Sequence, residues 1–234
     1  YRTLDIGGDK QVKHLNLPIE ENPFLGVRGV RLSLENKDIF YSQIRSILES
    51  DCIDRVKVMF PMISTIEDFL DAKNYVNEIA EQLNLKTPPL GIMVETPSSA
   101  LMSDQFAKVV DFISIGTNDL TQYIMAADRG NSNLSKYQNP LHPAVLRAIS
   151  GVINNCKKNK IEVSVCGEMA SDPMSALALY ILGLRTFSMS PSAAPFVFEI
   201  LDKNHQSIPE QFEDKMLSAL NAEEVTLLIE ENIL

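Results

Sequence analysis

The stretch "SIGTNDLTQY", residues 114–123, runs out of an apolar strand and into a helix. Asp111-Phe112-Ile113-Ser114-Ile115 reads as a buried strand. Gly116, Thr117, Asn118 and Asp119 follow, and the chain then turns apolar again at helical spacing. An uncharged amide and a carboxylate therefore stand side by side just beyond the carboxyl end of a strand. In parallel α/β folds this is where ligand-binding groups sit.

The same unit recurs outward in both directions. Strands are expected at Thr3–Ile6, Val30–Leu34, Val56–Phe60, Leu90–Val94, Ile161–Val165 and Arg185–Met189. Helices intervene. One begins near Asn36 and buries Ile39, Phe40, Ile44, Ile47 and Leu48. Another opens on the capping box Ser64-Thr65-Ile66-Glu67, with Ser64 as N-cap, and carries an apolar face through Phe69, Leu70, Val76, Ile79 and Leu83. Thr96-Pro97 and Asp172-Pro173 are cap-plus-proline helix starts, Pro143 opens a further helix, and Asp119–Ala126 reads as a short one. About seven strands separated by helices imply parallel βα units with right-handed crossovers. A (β/α)8 TIM barrel missing its first strand and helix fits best, and a doubly wound open sheet is the alternative. Residues 1–234 read as one barrel domain, with 204–234 forming carboxyl-terminal helices.

The polar punctuation favours the barrel. Asp5 and Asp9 flank the turn Gly7-Gly8, Glu95 follows Val94, and Cys166, Gly167 and Glu168 follow Val165. A barrel gathers all its strand ends on one rim. Taken singly, each residue has a plain structural reading: Asn118 and Asp119 as helix caps, Glu95 as a solvated carboxylate, Cys166 as a small buried hydrophobe. Arg28 and Arg31 suit a wet face, and His14, His142 and His205 suit surface or capping positions. Independent caps, however, need not share a rim.

Composition narrows the class. The chain has 234 residues, 45% of them apolar and 22% charged, and no apolar run reaches the length of a membrane span. A formal charge of −10 argues against a nucleic-acid partner, though a local arginine cluster still attracts an anionic substrate. Cys52, Cys156 and Cys166 lack metal or disulfide spacing, which suits a reducing cytoplasm.

Seven segments in order carry a family resemblance: "RTLDIGGDK" (2–10), "ENPFLGVRGVR" (21–31), "MFPMIS" (59–64), "GIMVETPSSA" (91–100), "SIGTNDLTQY" (114–123), "DRGN" (128–131) and "CGEMASDP" (166–173). The chain resembles the phosphoenolpyruvate-binding barrel of enzyme I of the bacterial phosphotransferase system, whose superfamily includes pyruvate phosphate dikinase and phosphoenolpyruvate synthase. "NPLHPAVLRAI" (139–149) and "CGEMASDP" look closer to the nitrogen-related branch.

The resemblance implies that Glu95 and Asp119 hold Mg²⁺, that Arg2, Arg28 and Arg129 grip the phosphate beside Asn118, and that Cys166 protonates the enolate of pyruvate. The residue types suit this chemistry. Mg²⁺ takes oxygen ligands, arginine forks match phosphate, and a cation cage offsets charge spread over a transferring phosphoryl group. It also implies a homodimer, an acceptor histidine on an upstream domain and an HPr-like phosphocarrier protein as partner. Lys57 stands where the family usually has arginine, so a phosphate contact there lacks the fork. Two other readings share the pattern: a Mg²⁺-dependent aldolase or lyase, which would not need three arginines, and a non-catalytic phosphoenolpyruvate-sensing module.

Overall fold

The computed structural model describes residues 1–6 and 19–234. The expected turn Gly7-Gly8, with Asp9, and His14 lie outside the described residues. Four strands, β1 (Val58–Phe60), β2 (Leu90–Val94), β3 (Phe112–Gly116) and β4 (Glu162–Cys166), pair in parallel in the order β1-β2-β3-β4. Register runs Met59 to Gly91, Ile92 to Ile113 and Ser114 to Ser164. Single parallel bridges extend the row at both edges in chain order, Arg2 to Met59 and Val165 to Phe187. A doubly wound sheet reverses its strand order at a switch point. Among the described residues no reversal occurs, as in a (β/α) barrel, of which the chain forms part. The described residues supply six of its strand positions. β2 and β3 are buried along their whole length, as expected of strands covered on both faces.

Three expectations are corrected. Val30–Leu34 is not a strand but lies in helix α1 (Val30–Glu35), which leads through Asn36 into α2 (Lys37–Leu48). Six residues with alternating Val30, Leu32 and Leu34 fit either period. The helix prevails because the Ser33 amide and hydroxyl both donate to the Gly29 carbonyl, and the Asn36 amides close on Leu32. The second correction is a one-residue shift. Helix α3 (Ile66–Leu83) is capped by Thr65, whose hydroxyl accepts from the Asp68 amide while Asp68 accepts from Thr65. The Ser64 hydroxyl is taken instead by Arg31, at 2.9 Å. Third, only Phe187 of Arg185–Met189 and Arg2 beside Thr3–Ile6 form sheet bridges.

Thr96 and Asp172 cap α4 (Pro97–Leu101) and α8 (Pro173–Ile181) as their cap-plus-proline pattern predicts, with α5 (Ser103–Phe106), α6 (Thr117–Ile124) and α7 (Pro143–Asn159) between them. The last helices are α9 (Ala194–Asn204), α10 (Phe212–Ser218) and α11 (Ala222–Asn232). Arg147 and Ser150 of α7 bond to the Leu217 carbonyl and to Glu213, so α10 is tied to the barrel's outer layer. Phe40, Phe60 and Phe69 form an aromatic core under β1, with centroids 6.2 and 6.1 Å apart. Among the described residues no helix is long and apolar enough to cross a membrane.

Candidate active site

The parallel strands all deliver their carboxyl ends to one rim, and the polar residues there converge. β2 ends at Val94 and presents Glu95, while β4 ends on Cys166 itself. β3 ends at Gly116, which is also the N-cap residue of α6. Asn118 and Asp119 therefore lie inside the first turn of α6, and neither caps it. A cavity of about 380 Å³ is lined by Arg2, Glu95, Asn118, Asp119, Arg129 and Cys166, together with Asp5 and Glu168.

Charge is arranged around that cavity in an alternating series. Arg28 is almost fully buried. Its Nη2 stands 3.1 Å from Asp5 Oδ1 and 3.2 Å from Asp119 Oδ2, and its Nη1 donates to the Tyr123 hydroxyl at 3.2 Å. Burial disfavours the Arg28 charge, but Asp119 and Asp5 more than restore it and hold the guanidinium firmly protonated. Arg129 Nη1 is 3.1 Å from Asp119 Oδ1, off the line of a hydrogen bond, so that buried oxygen has no donor. The Phe24 ring lies 5.5 Å from the Arg129 guanidinium and 6.0 Å from that of Arg28.

Glu95 is 1% exposed and accepts from the Met62 amide at 2.6 Å. Burial, then the charge of Asp119, push its carboxyl up to about 8. Such a group wants a proton or a cation. A side chain on Gly116 would fall 2.9 Å from Glu95 Oε2, so glycine keeps the space beside that oxygen open. Two buried carboxylates, one oxygen of Asp119 lacking a donor, make a hard-oxygen set that fits Mg²⁺. Among the described residues no three His, Cys, Asp or Glu side chains form a complete cage, so substrate oxygens and water would fill the remaining positions.

Cys166 Sγ lies 3.5 Å from the Ile115 carbonyl and 3.7 Å from the Ser114 hydroxyl. Burial pushes the thiol's pKa up, against a smaller opposing effect of Ser114. The Asn118 carbonyl oxygen accepts from the Glu168 amide at 3.0 Å, which fixes the side-chain amide at the rim. Lys57 leaves the group. It sits ahead of β1 and pairs at 2.5 Å with Glu162, the first residue of β4, on the opposite rim. His142 caps α7 and His205 closes α9.

Residues 1–205 match the family described as "PEP-utilising enzyme, PEP-binding domain". The chain belongs to that family. The PEP-binding domain is 45% identical over 236 residues to the phosphoenolpyruvate-protein phosphotransferase of Bacillus subtilis, covering 98% of this chain and 41% of the relative. The corresponding protein of Mycoplasma pneumoniae is 43% identical, covering 98% and 40%, and that of Buchnera aphidicola from Acyrthosiphon pisum is 40% identical, covering 98% and 41%. The chain thus spans about two fifths of the length of these relatives. Among solved structures, a citrate lyase from Burkholderia xenovorans superposes with a TM-score of 0.54 at 19% identity, over 76% of this chain and 58% of that one, a likeness of fold alone.

Asp5 and Tyr123 of the PEP-binding domain carry contacts that sequence reasoning left unassigned. Tyr123 was detectable in principle. It lies four residues after Asp119 on α6, hence on the same helix face. Its hydroxyl links Arg28 to the Phe24 carbonyl.

Proposed function

We propose that this chain, residues 1–234, is the phosphoenolpyruvate-binding, Mg²⁺-dependent phosphoryl-donor domain of a phosphoenolpyruvate–protein phosphotransferase. It passes phosphate to a histidine on an upstream domain and from there to an HPr-like phosphocarrier protein, and releases pyruvate. The observation that carries this reading is the convergence of the buried Glu95 carboxylate and the hydrogen-bond-free Oδ1 of Asp119 with the guanidiniums of Arg2 and Arg129 on one cavity. Arg28 supports the same wall from behind.

In this mechanism Glu95 and Asp119 would hold Mg²⁺, which would supply Lewis-acid neutralisation of oxygen charge. Arg2 and Arg129 grip the phosphoryl oxygens with charge-assisted bonds, Arg28 adds its positive charge from behind the wall, and the Asn118 amide adds a donor without a competing negative charge. The phosphorus–oxygen bond to C2 breaks as the bond to the histidine nitrogen forms. The electron pair left on the enolate takes a proton at C3 from the Cys166 thiol, and water returns a proton to the thiolate. A thiol held protonated by burial is suited to that step. The unlinked Cys52, Cys156 and Cys166 suit the cytoplasm, and the family resemblance carries a homodimer.

Calorimetric titration of the intact protein with phosphoenolpyruvate, pyruvate and oxaloacetate, with and without Mg²⁺, tests the reading. Phosphoenolpyruvate should bind most tightly, and only with the metal present. Preference for oxaloacetate or pyruvate would instead select the aldolase or lyase reading. Tight binding without phosphoryl transfer in the intact protein would select a sensing module.

A further inference from the structure

Asp5 has no part in the mechanism above, yet it sits at the junction of the arginine cluster. Its side chain is 3% exposed, and both of its oxygens face guanidinium groups: Oδ2 is 3.3 Å from Arg2 Nη1 and Oδ1 is 3.1 Å from Arg28 Nη2. Arg28 Nη2 is shared with Asp119 Oδ2 at 3.2 Å, and Arg129 approaches the other Asp119 oxygen. Charges therefore alternate through Arg2, Asp5, Arg28, Asp119 and Arg129.

Asp119 cannot serve Arg28 fully and also ligate a metal. Arg28, 3% exposed, still needs a counterion while Asp119 is engaged elsewhere. Guanidiniums aimed at one phosphate also repel each other whenever the phosphate is absent. We infer that Asp5 is a positioning residue: its carboxylate bridges Arg2 to Arg28, holding the Arg2 guanidinium at the cavity and giving the buried Arg28 a counterion when Asp119 turns to the metal. This inference rests on the phosphoenolpyruvate reading. The rival role, a third carboxylate ligand, is disfavoured because among the described residues no three His, Cys, Asp or Glu side chains are grouped closely enough to share one metal ion.

The test uses the intact protein and its D5N variant, with two separate probes. Phosphoenolpyruvate is titrated at saturating Mg²⁺, and Mn²⁺ is titrated alone. D5N should weaken phosphoenolpyruvate binding by at least ~10-fold, equivalent to about 1.4 kcal/mol, while Mn²⁺ affinity stays within about 2-fold, as expected of a group that touches no metal. A double-mutant cycle with R2Q, at a side chain 39% exposed, should be non-additive, because D5N has less to lose once Arg2 is gone. If D5N does not fold, D5E replaces it in the same cycle. Unchanged phosphoenolpyruvate affinity in D5N, an additive cycle, or loss of Mn²⁺ binding equal to that of E95Q would each overturn the inference while wild type still binds. Wild-type protein that fails to bind phosphoenolpyruvate would remove the functional reading and this inference together.

Discussion

Cys166 and Glu95 are both held in their protonated forms by burial, with opposite consequences. For Cys166 the proton is the useful part. Cys166→Ala should lower phosphoryl transfer and pyruvate release by at least ~10²-fold, the low end for losing a general acid, with little change in phosphoenolpyruvate affinity. Near-normal turnover would return the thiol to an inert packing role. Iodoacetamide should alkylate Cys166 with a midpoint above the ~8.5 of a free thiol. For Glu95, under the proposed function, the proton is a substitute for the metal. With the folded pKa raised to about 8, the contribution of Glu95 to the stability of the metal-free protein is fully present below the unfolded value of ~4.3 and is lost as pH rises through 8, since the unfolded carboxyl ionises first. Glu95→Gln keeps an oxygen for the Met62 amide and removes the buried charge. Its melting temperature without metal should match wild type near pH 4 and exceed it by at least ~3 °C at pH 8.5, while Mn²⁺ binding is lost. Equal melting temperatures at both pH values would show that Glu95 ionises without cost.

Gly167 locks β4 to α6 at the scale of the element. Its φ of +99° is one that L side chains rarely adopt, and a Cβ there would lie 2.5 Å from Thr117 Oγ1 and 2.9 Å from Asn118 Oδ1. Those groups already bond across the turn to the Cys166 carbonyl and the Glu168 amide. Gly183, after α8, has φ +94° but only Ile153 nearby, at 3.8 Å. Both Gly→Ala variants should cost about 1–3 kcal/mol of stability from strain, read by urea unfolding. Only Gly167→Ala should also weaken phosphoenolpyruvate binding, because only there does the methyl displace Asn118; equal binding in the two variants would remove that role from the turn. The contrast marks how much the sequence discloses about elements. Cap-plus-proline pairs at Thr96 and Asp172 are legible because each side chain still accepts from the amide three residues on, Ser99 and Ser175, even though the Thr96 hydroxyl also donates to the Ile63 carbonyl. Ser64 does not cap α3 because Arg31, distant in sequence, claims its hydroxyl. Val30–Leu34 reads as a strand because five residues do not distinguish period 2 from period 3.6, and Gly29 and Asn36 settle it through backbone contacts. Likewise, the strand-end positions of Glu95, Asn118, Asp119 and Cys166 followed from parallel topology alone. The Asp5–Arg28–Tyr123 linkage depends on packing that no local pattern encodes.

Across the whole molecule, the proposed function makes the cavity a donor site without an acceptor among the described histidines. His142 is committed to α7, its Nδ1 accepting from the Ala144 amide at 3.2 Å, and His205 is exposed at the end of α9. Neither lines the cavity that holds Glu95, Asp119 and Cys166. In-line phosphoryl transfer needs the attacking nitrogen about 3–3.5 Å from phosphorus, a placement that a docking domain can supply. Residues 1–234 expressed alone should therefore bind phosphoenolpyruvate with Mg²⁺ yet pass no label from [³²P]phosphoenolpyruvate to an HPr-like carrier. Adding the phosphohistidine-bearing segment of a relative such as the Bacillus subtilis protein as a separate chain should restore labelling, at a rate that rises with its concentration because the two parts must first meet. Label on the carrier without that segment, or on His14, His142 or His205, would mean that this chain carries its own acceptor and would overturn the division of labour proposed for it.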